Sequence, residues 1–171
     1  DTVTATGQDD LVNAGAGNDS VIGGPGTDTL NAEAGDDEFV WNNGDGADEL
    51  DGGAGGTDLF TFNGAAGAND VLTLDADGAT FDYELSRTAP SAFTIDVVNV
   101  ENQVINADAG GADGNDSITV NDLSGSNGEL ASITINGEGG NDSVDASAAD
   151  LAVTVNGGAG ADSVLGSDQA N

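Results

Sequence analysis

Gly23-Gly-Pro-Gly-Thr-Asp-Thr-Leu-Asn31 divides into a six-residue turn closed by one carboxylate, Asp28, and a three-residue extended piece carrying one aliphatic, Leu30. A second copy, Gly157-Gly-Ala-Gly-Ala-Asp-Ser-Val-Leu165, stands near the other end. Aligned on the closing carboxylate, three units abut over 14–22, 23–31 and 32–40. Their aspartates are Asp19, Asp28 and Asp37, nine apart, and their apolar residues are Val21, Leu30 and Phe39. An earlier unit ends at Asp10 with Val12, or, in an alternative register, at Asp9 with Leu11. Later units end at Asp48 (with Leu50) and Asp58 (with Phe60), after eleven and ten residues. Self-similarity at a fixed period marks a solenoid. Two units make a coil of eighteen, which stacks Asp10 over Asp28, Asp19 over Asp37 and Asp28 near Asp48, at the ~4.8 Å of neighbouring strands. Turn glycines let the backbone bend through φ > 0 and aim carbonyl oxygens inward.

From Asn63 to Asp108 these turns disappear. Val71–Asp75 and Ala79–Glu84 alternate around Asp75-Ala-Asp-Gly78, the pattern of a β-hairpin. Phe93–Val100 and Gln103–Asn106 read as further strands. The stretch is an inserted hairpin, the favoured reading, or a wider coil. Beyond it, Ile133-Thr-Ile-Asn136 and Val153-Thr-Val-Asn156 are twenty residues apart, as are Asp142-Ser-Val144 and Asp162-Ser-Val164; Asp116-Ser-Ile118 fits a looser coil twenty-six residues earlier. A twenty-residue coil places Thr134 beneath Thr154 on the outer face. No segment sustains a 3.6-residue apolar period, so the chain is read as all-β. Three parts are expected: a coiled block over 1–62, an irregular β segment with the hairpin over 63–108, and a solenoid over 109–171.

Composition narrows the class. Thirty-two acidic residues face a single basic one, Arg87, for a formal charge of −31. A nucleic-acid or anionic-membrane partner needs a cationic surface and is excluded, and no apolar run could insert into a bilayer. High charge with 37% apolar residues is also a disorder signature,. Regular Val/Ile/Thr segments between the glycine clusters argue instead for a chain that orders once counter-ions bind. Two carboxylates about 5 Å apart repel by roughly 1 kcal/mol in water and more when partly buried. A divalent cation reverses that sign. Without cysteine there are no disulfides or thiolate sites,. Gly166–Asn171 looks like the opening of another repeat, so the chain is expected to be part of a longer protein.

The pattern Gly-Gly-x-Gly-x-Asp-x-(aliphatic)-x resembles the RTX, or haemolysin-type, calcium-binding repeat, over Thr6–Phe62 and Gly110–Gly166. The resemblance implies a right-handed parallel β-roll with calcium between neighbouring turns, and an extracellular, secreted or cell-surface, bacterial setting. The residues agree: calcium takes six to eight oxygen ligands, and each turn offers one carboxylate with several glycine carbonyls. The candidate metal set is Asp10, Asp19, Asp28, Asp37, Asp48, Asp58, Asp116, Asp142 and Asp162, with Gly15, Gly17, Gly24, Gly26, Gly35, Gly46, Gly158 and Gly160. Ala14, Ala32 and Glu33 replace turn glycines, which should weaken their sites. Nitrogen and sulfur ligands are missing, against zinc, copper or iron.

Other features take plainer readings. Asn18-Asp-Ser20, Asn115-Asp-Ser117 and Asn141-Asp-Ser143 match the glycosylation sequon but fall inside the proposed metal turns. Asp75-Ala-Asp-Gly78 lacks the glutamate and helices of an EF-hand. Trp41 is expected to pack at a coil edge, the alternative being a carbohydrate-stacking surface. Arg87 is expected in a surface ion pair, or as an anchor between hairpin and solenoid. Catalysis would rest on carboxylates, Tyr83 or Arg87 alone, and no enzyme is expected. The function read from the sequence is a calcium-binding structural or adhesive module that folds on extracellular calcium. Copies or neighbouring repeats could stack end to end. The alternatives are an accessory module of a polysaccharide-active enzyme and a ligand- or ice-binding face.

Overall fold

In the computed structural model, which describes residues 1–77, 80–111, 113–125 and 129–167, the chain is all-β, with no helix among the described residues. Its strands run β1 (Thr2–Thr4), β2 (Leu11–Ala16), β3 (Ser20–Ile22), β4 (Thr29–Ala34), β5 (Glu38–Asn42), β6 (Glu49–Asp51), β7 (Leu59–Asn63) and β8 (Val71–Asp75). They continue as β9 (Tyr83–Ala89), β10 (Phe93–Val98), β11 (Asn102–Asn106), β12 (Ser117–Val120), β13 (Ser132–Asn136), β14 (Ser143–Asp145), β15 (Ala152–Asn156) and β16 (Ser163–Leu165). Apart from β8, β9 and β10, which share one sheet, successive strands alternate between two sheets, one of seven strands ordered β1-β3-β5-β7-β11-β13-β15 and one of nine ordered β2-β4-β6-β10-β9-β8-β12-β14-β16. Pairing is parallel throughout except where β9 meets β8 and β10. This is a parallel β-roll.

Period-two alternation decides which side chains meet between the sheets. Val21, Phe39 and Phe60 stand in register along the seven-stranded sheet, and Val12, Leu30 and Leu50 along the other. All six are buried. Of the two registers for the first unit, Asp10 with Val12 holds: Val12 is in the core and Leu11 is 68% exposed. Gln103 takes the core position next to Phe60 and is satisfied there by the buried Tyr83 hydroxyl, which donates to its Oε1 at 2.8 Å. Thr134 does pair with Thr154.

The middle differs in detail from the expected hairpin. Strand β8 matches it, but the returning strand is Tyr83–Ala89 rather than Ala79–Glu84. Asp77 Oδ2 accepts the amides of Thr80 and Phe81, which holds them in the turn; Gly78 and Ala79 lie outside the described residues. Strand β9 then runs antiparallel between β8 and β10, so that β10, not β8, pairs with β6. The expected opening of a further repeat reaches residues 168–171, also outside the described set.

Trp41 and Arg87 sit deeper than an edge or a surface pair. Trp41 is 2% exposed, stacks on Phe62 with ring centroids 4.7 Å apart, and packs against Phe93 at 4.6 Å. Arg87 is 3% exposed, with its guanidinium 4.5 Å from the Phe93 ring centroid. A carbohydrate-stacking Trp41 is excluded by that burial.

Candidate metal centre

Each coil has two edges. Turns on the first edge lead from the seven- to the nine-stranded sheet, and turns on the second lead back. On the first edge the amide of Asp10 donates to Asp28 Oδ1 at 2.8 Å, and that of Asp28 to Asp48 Oδ1 at 3.0 Å. Farther along, Asp70 donates to Asp116 Oδ1 at 2.7 Å, Asp116 to Asp142 Oδ1 at 2.8 Å, and Asp142 to Asp162 Oδ1 at 3.1 Å. On the second edge Asp19 donates to Asp37 Oδ1 and Asp37 to Asp58 Oδ1, both at 2.7 Å, and Asp58 to Glu101 Oε2 at 2.6 Å. Every aspartate of the sequence-derived set therefore stands in one of these ladders.

A ladder bond uses one carboxylate oxygen and orients the other. The Oδ2 atoms of Asp19, Asp28, Asp37, Asp116 and Asp142 are buried with no hydrogen-bond partner. An ionised carboxylate with an orphaned buried oxygen is costly unless a cation or donor meets it. The adjoining backbone leaves room for one. A Cβ at Gly23 would lie 2.6 Å from Asp28 Oδ2, and one at Gly157 would lie 2.5 Å from Asp162 Oδ2. At Gly26, Gly35, Gly46, Gly158 and Gly160 a Cβ would fall on carbonyl oxygens of the preceding coil, those of Gln8, Gly17, Gly26, Glu138 and Gly140. Gly15, Gly17 and Gly24 take positive φ in the first turns. Glu33 keeps the left-handed backbone at φ 80, as Glu138 does at φ 70. The glycine replacement at Glu33 thus leaves the turn intact, and the Glu33 carbonyl faces Gly53. Among the described residues no three acidic or thiol or imidazole groups converge. One or two carboxylates with main-chain carbonyls form an all-oxygen donor set, the set a calcium ion takes.

Electrostatics agrees with the geometry. Burial pushes Asp48 and Asp58 up to about 6 and Asp116 to about 7, against the pull of the ladder amides, with neighbouring carboxylates adding to the rise. Asp28 and Asp142 are raised for the same first reason.

Sequence reasoning missed several members. Asp70 and Glu101 belong to the ladders, and Asp108 is fully buried, accepting the amides of Gly67 and Gly114. Asp70 carries the same Asp-x-apolar signal as its neighbours, with Leu72, though its turn holds alanines. Glu101 has no glycine signal at all. The residue before several ladder aspartates also works. Asn18, Asn115 and Asn141 accept through Oδ1 the amides of Asp36, Asn141 and Ala161 in the next coil. The sequon-like triplets are thus ladder elements.

Stacked carboxylates with orphaned oxygens, cradled by carbonyl-lined turns, define a cation-bridged parallel β-roll. The sequence model of the RTX calcium-binding nonapeptide repeat matches the chain in four copies, over residues 1–39, 134–150 and 152–171. The repeats toward both ends of the chain are therefore RTX calcium-binding repeats, and their cofactor is calcium, several ions to the array. No curated protein matches the chain.

Proposed function

We propose that the ladder carboxylates, with the facing turn carbonyls, are the calcium ligands. The set includes Asp48, Asp58, Glu101 and Asp116, outside the matched repeats, and leaves out Asp70, whose two oxygens already accept the Ala65 amide and the Arg87 guanidinium. In this reading the chain is a structural module of a secreted or cell-surface protein. The observation that carries it is the series of buried, unpartnered Oδ2 atoms on Asp19, Asp28, Asp37, Asp116 and Asp142, two of them, on Asp28 and Asp142, close beside Gly23 and Gly137. Such carboxylates repel one another without cations, so the roll is coupled to calcium binding. Extracellular-type sites bind at around 10⁻⁴ to 10⁻³ M, which suits a chain that stays loose inside a cell and orders outside. A structural role is favoured over a catalytic one because the buried acids already accept ladder bonds. End-to-end stacking of copies or neighbouring repeats would use the outer edges of β15 and β16, where Val164 and Leu165 are 51% and 56% exposed,.

Calcium titration followed by far-ultraviolet circular dichroism tests this. The β signal should rise with calcium and fall in excess chelator. A signal indifferent to chelator overturns the reading.

A further inference from the structure

Arg87, the one basic side chain of the sequence, lies where the first-edge ladder is interrupted. Among the described residues no amide-to-carboxylate bond joins the first-edge turns of Asp48 and Asp70, because β10 and β9 intervene. Here Arg87 reaches across. Its Nη1 donates to Asn43 Oδ1 at 3.0 Å, in the turn that ends at Asp48, and to Asp70 Oδ1 at 3.2 Å, in the next first-edge turn. Its Nε donates to the Ser91 carbonyl at 3.1 Å. Three oxygens from three segments surround one positive charge, the same donor class that the other turns offer. Asp70 differs from its ladder partners accordingly. Its Oδ2 accepts the Ala65 amide at 2.8 Å and its Oδ1 the guanidinium, so neither oxygen is orphaned as those of Asp116 and Asp142 are.

The pair is enclosed. Arg87 and Asp70 side chains are 3% and 0% exposed, and the guanidinium carbon lies 5.3 Å from the ring centroid of Trp41, whose Nε1 donates to the Gly46 carbonyl at 2.9 Å. Burial pushes the Asp70 carboxyl up and the Arg87 guanidinium down, so each charge depends on the other for its solvation,.

We propose that Arg87 is a resident cation. It bridges turns 42–48 and 63–70 in the way calcium bridges the other turns, and it keeps the aromatic centre around Trp41 packed when calcium is withdrawn. This rests on calcium filling the remaining turns. Removing calcium then loosens the flanking ladders and leaves a central unit of Trp41, Phe62, Phe93 and the Arg87–Asp70 pair.

Trp41 is the sole tryptophan, so its fluorescence reports this unit alone. In excess chelator the unsubstituted chain should keep a blue-shifted emission close to the calcium-loaded value while its β signal falls. Arg87→Met should shift the chelator emission toward that of the urea-unfolded chain, by stranding the Asp70 charge. The pair Arg87→Met with Asp70→Asn should return it to the blue, since no charge is left unpaired. Emission that moves red in step with the β signal in the unsubstituted chain overturns the proposal. So does a double variant as red-shifted as Arg87→Met. A β signal that survives chelator is the separate failure of the calcium reading, and the two Arg87 variants still decide the role of the pair.

Discussion

The two edges of the roll close their turns by the same carboxylate chemistry up to the central strands and by different chemistry beyond them. On the first edge, carboxylates occur on both sides of the central antiparallel strand, from Asp10 to Asp48 and from Asp70 to Asp162. On the second edge, Asp19, Asp37, Asp58 and Glu101 are followed in register by Ala131 and Leu151. There the closing turns bury Leu123, Leu130, Ala146 and Ala149 instead. A carboxylate turn is cheap to close only with a cation present, whereas an apolar turn closes in any medium that drives apolar burial. If the carboxylate turns hold calcium as proposed, the first part of the chain should depend on it along both edges, and the last part along one.

Substitutions that act on one edge separate these chemistries. The largest effect is expected for Gly140→Ala on the first edge. Its φ is 114, and a Cβ would land on the Gly114 carbonyl oxygen. The left-handed backbone alone costs roughly 1–2 kcal/mol for a residue with a Cβ, and displacing the carbonyl should bring the loss to about 3 kcal/mol or more. Gly110→Ala is the control: φ is 115, but nothing lies within 4 Å. Urea unfolding in calcium should rank the two far apart, and equal midpoints would remove the close approach as the cause. Next comes Leu130→Ala on the second edge, expected to cost about 2–4 kcal/mol as a large-to-small core change. Its loss should leave the midpoint of calcium titration unchanged, while Gly140→Ala raises it.

Acidity acts on the carboxylate turns and spares the apolar ones. Asp48 and Asp58 at about 6 and Asp116 at about 7 lie above the ordinary carboxylate range because burial disfavours their charge. Between about pH 4 and 7 the folded, metal-free chain therefore holds more protons than the unfolded chain, and stability rises as pH falls through that window. Calcium needs the ionised form, so its apparent affinity moves the other way. In chelator the β signal should grow from pH 7.5 to pH 5, and in calcium the titration midpoint should move to higher concentration. A metal-free signal that shrinks on acidification would contradict the burial of these acids.

The coils were legible where one spacing governed. Eighteen residues separate Asp10 from Asp28 and Asp19 from Asp37, and twenty separate Asp142 from Asp162, and each pair shares a ladder bond. Asp70 meets Asp116 forty-six residues on, because two extra strands and a full strand of the opposite sheet are threaded between them. No period in sequence encodes that. Glu101 was hidden for another reason: its reach into the ladder depends on where Asn99 and Val100 turn, at φ 55 for Asn99, rather than on a glycine motif. The lone arginine read as a surface ion pair or as an anchor to the solenoid, and its partners stayed hidden because Asn43, Asp70 and Ser91 come together only through the fold.

The smallest effect concerns a feature common to the carboxylate-rich and carboxylate-poor parts. Asn42, Asn63, Asn106, Asn136 and Asn156 form an amide ladder along the last position of the seven-stranded sheet, with bonds of 3.1, 2.9, 2.8 and 2.8 Å. It crosses the middle of the roll without the break that the carboxylates show between Asp48 and Asp70. Being neutral, it needs no counter-ion, and it holds the strand register that brings facing turns together. Asn106→Ala removes two of its bonds, but the amides left on Asn63 and Asn136 are half exposed and can turn to water. The expected loss is about 1 kcal/mol, equal in unfolding series at saturating and at minimal calcium. A loss that grows as calcium is lowered would show the ladder substituting for the cations, and would tie the two edges to one device rather than to two.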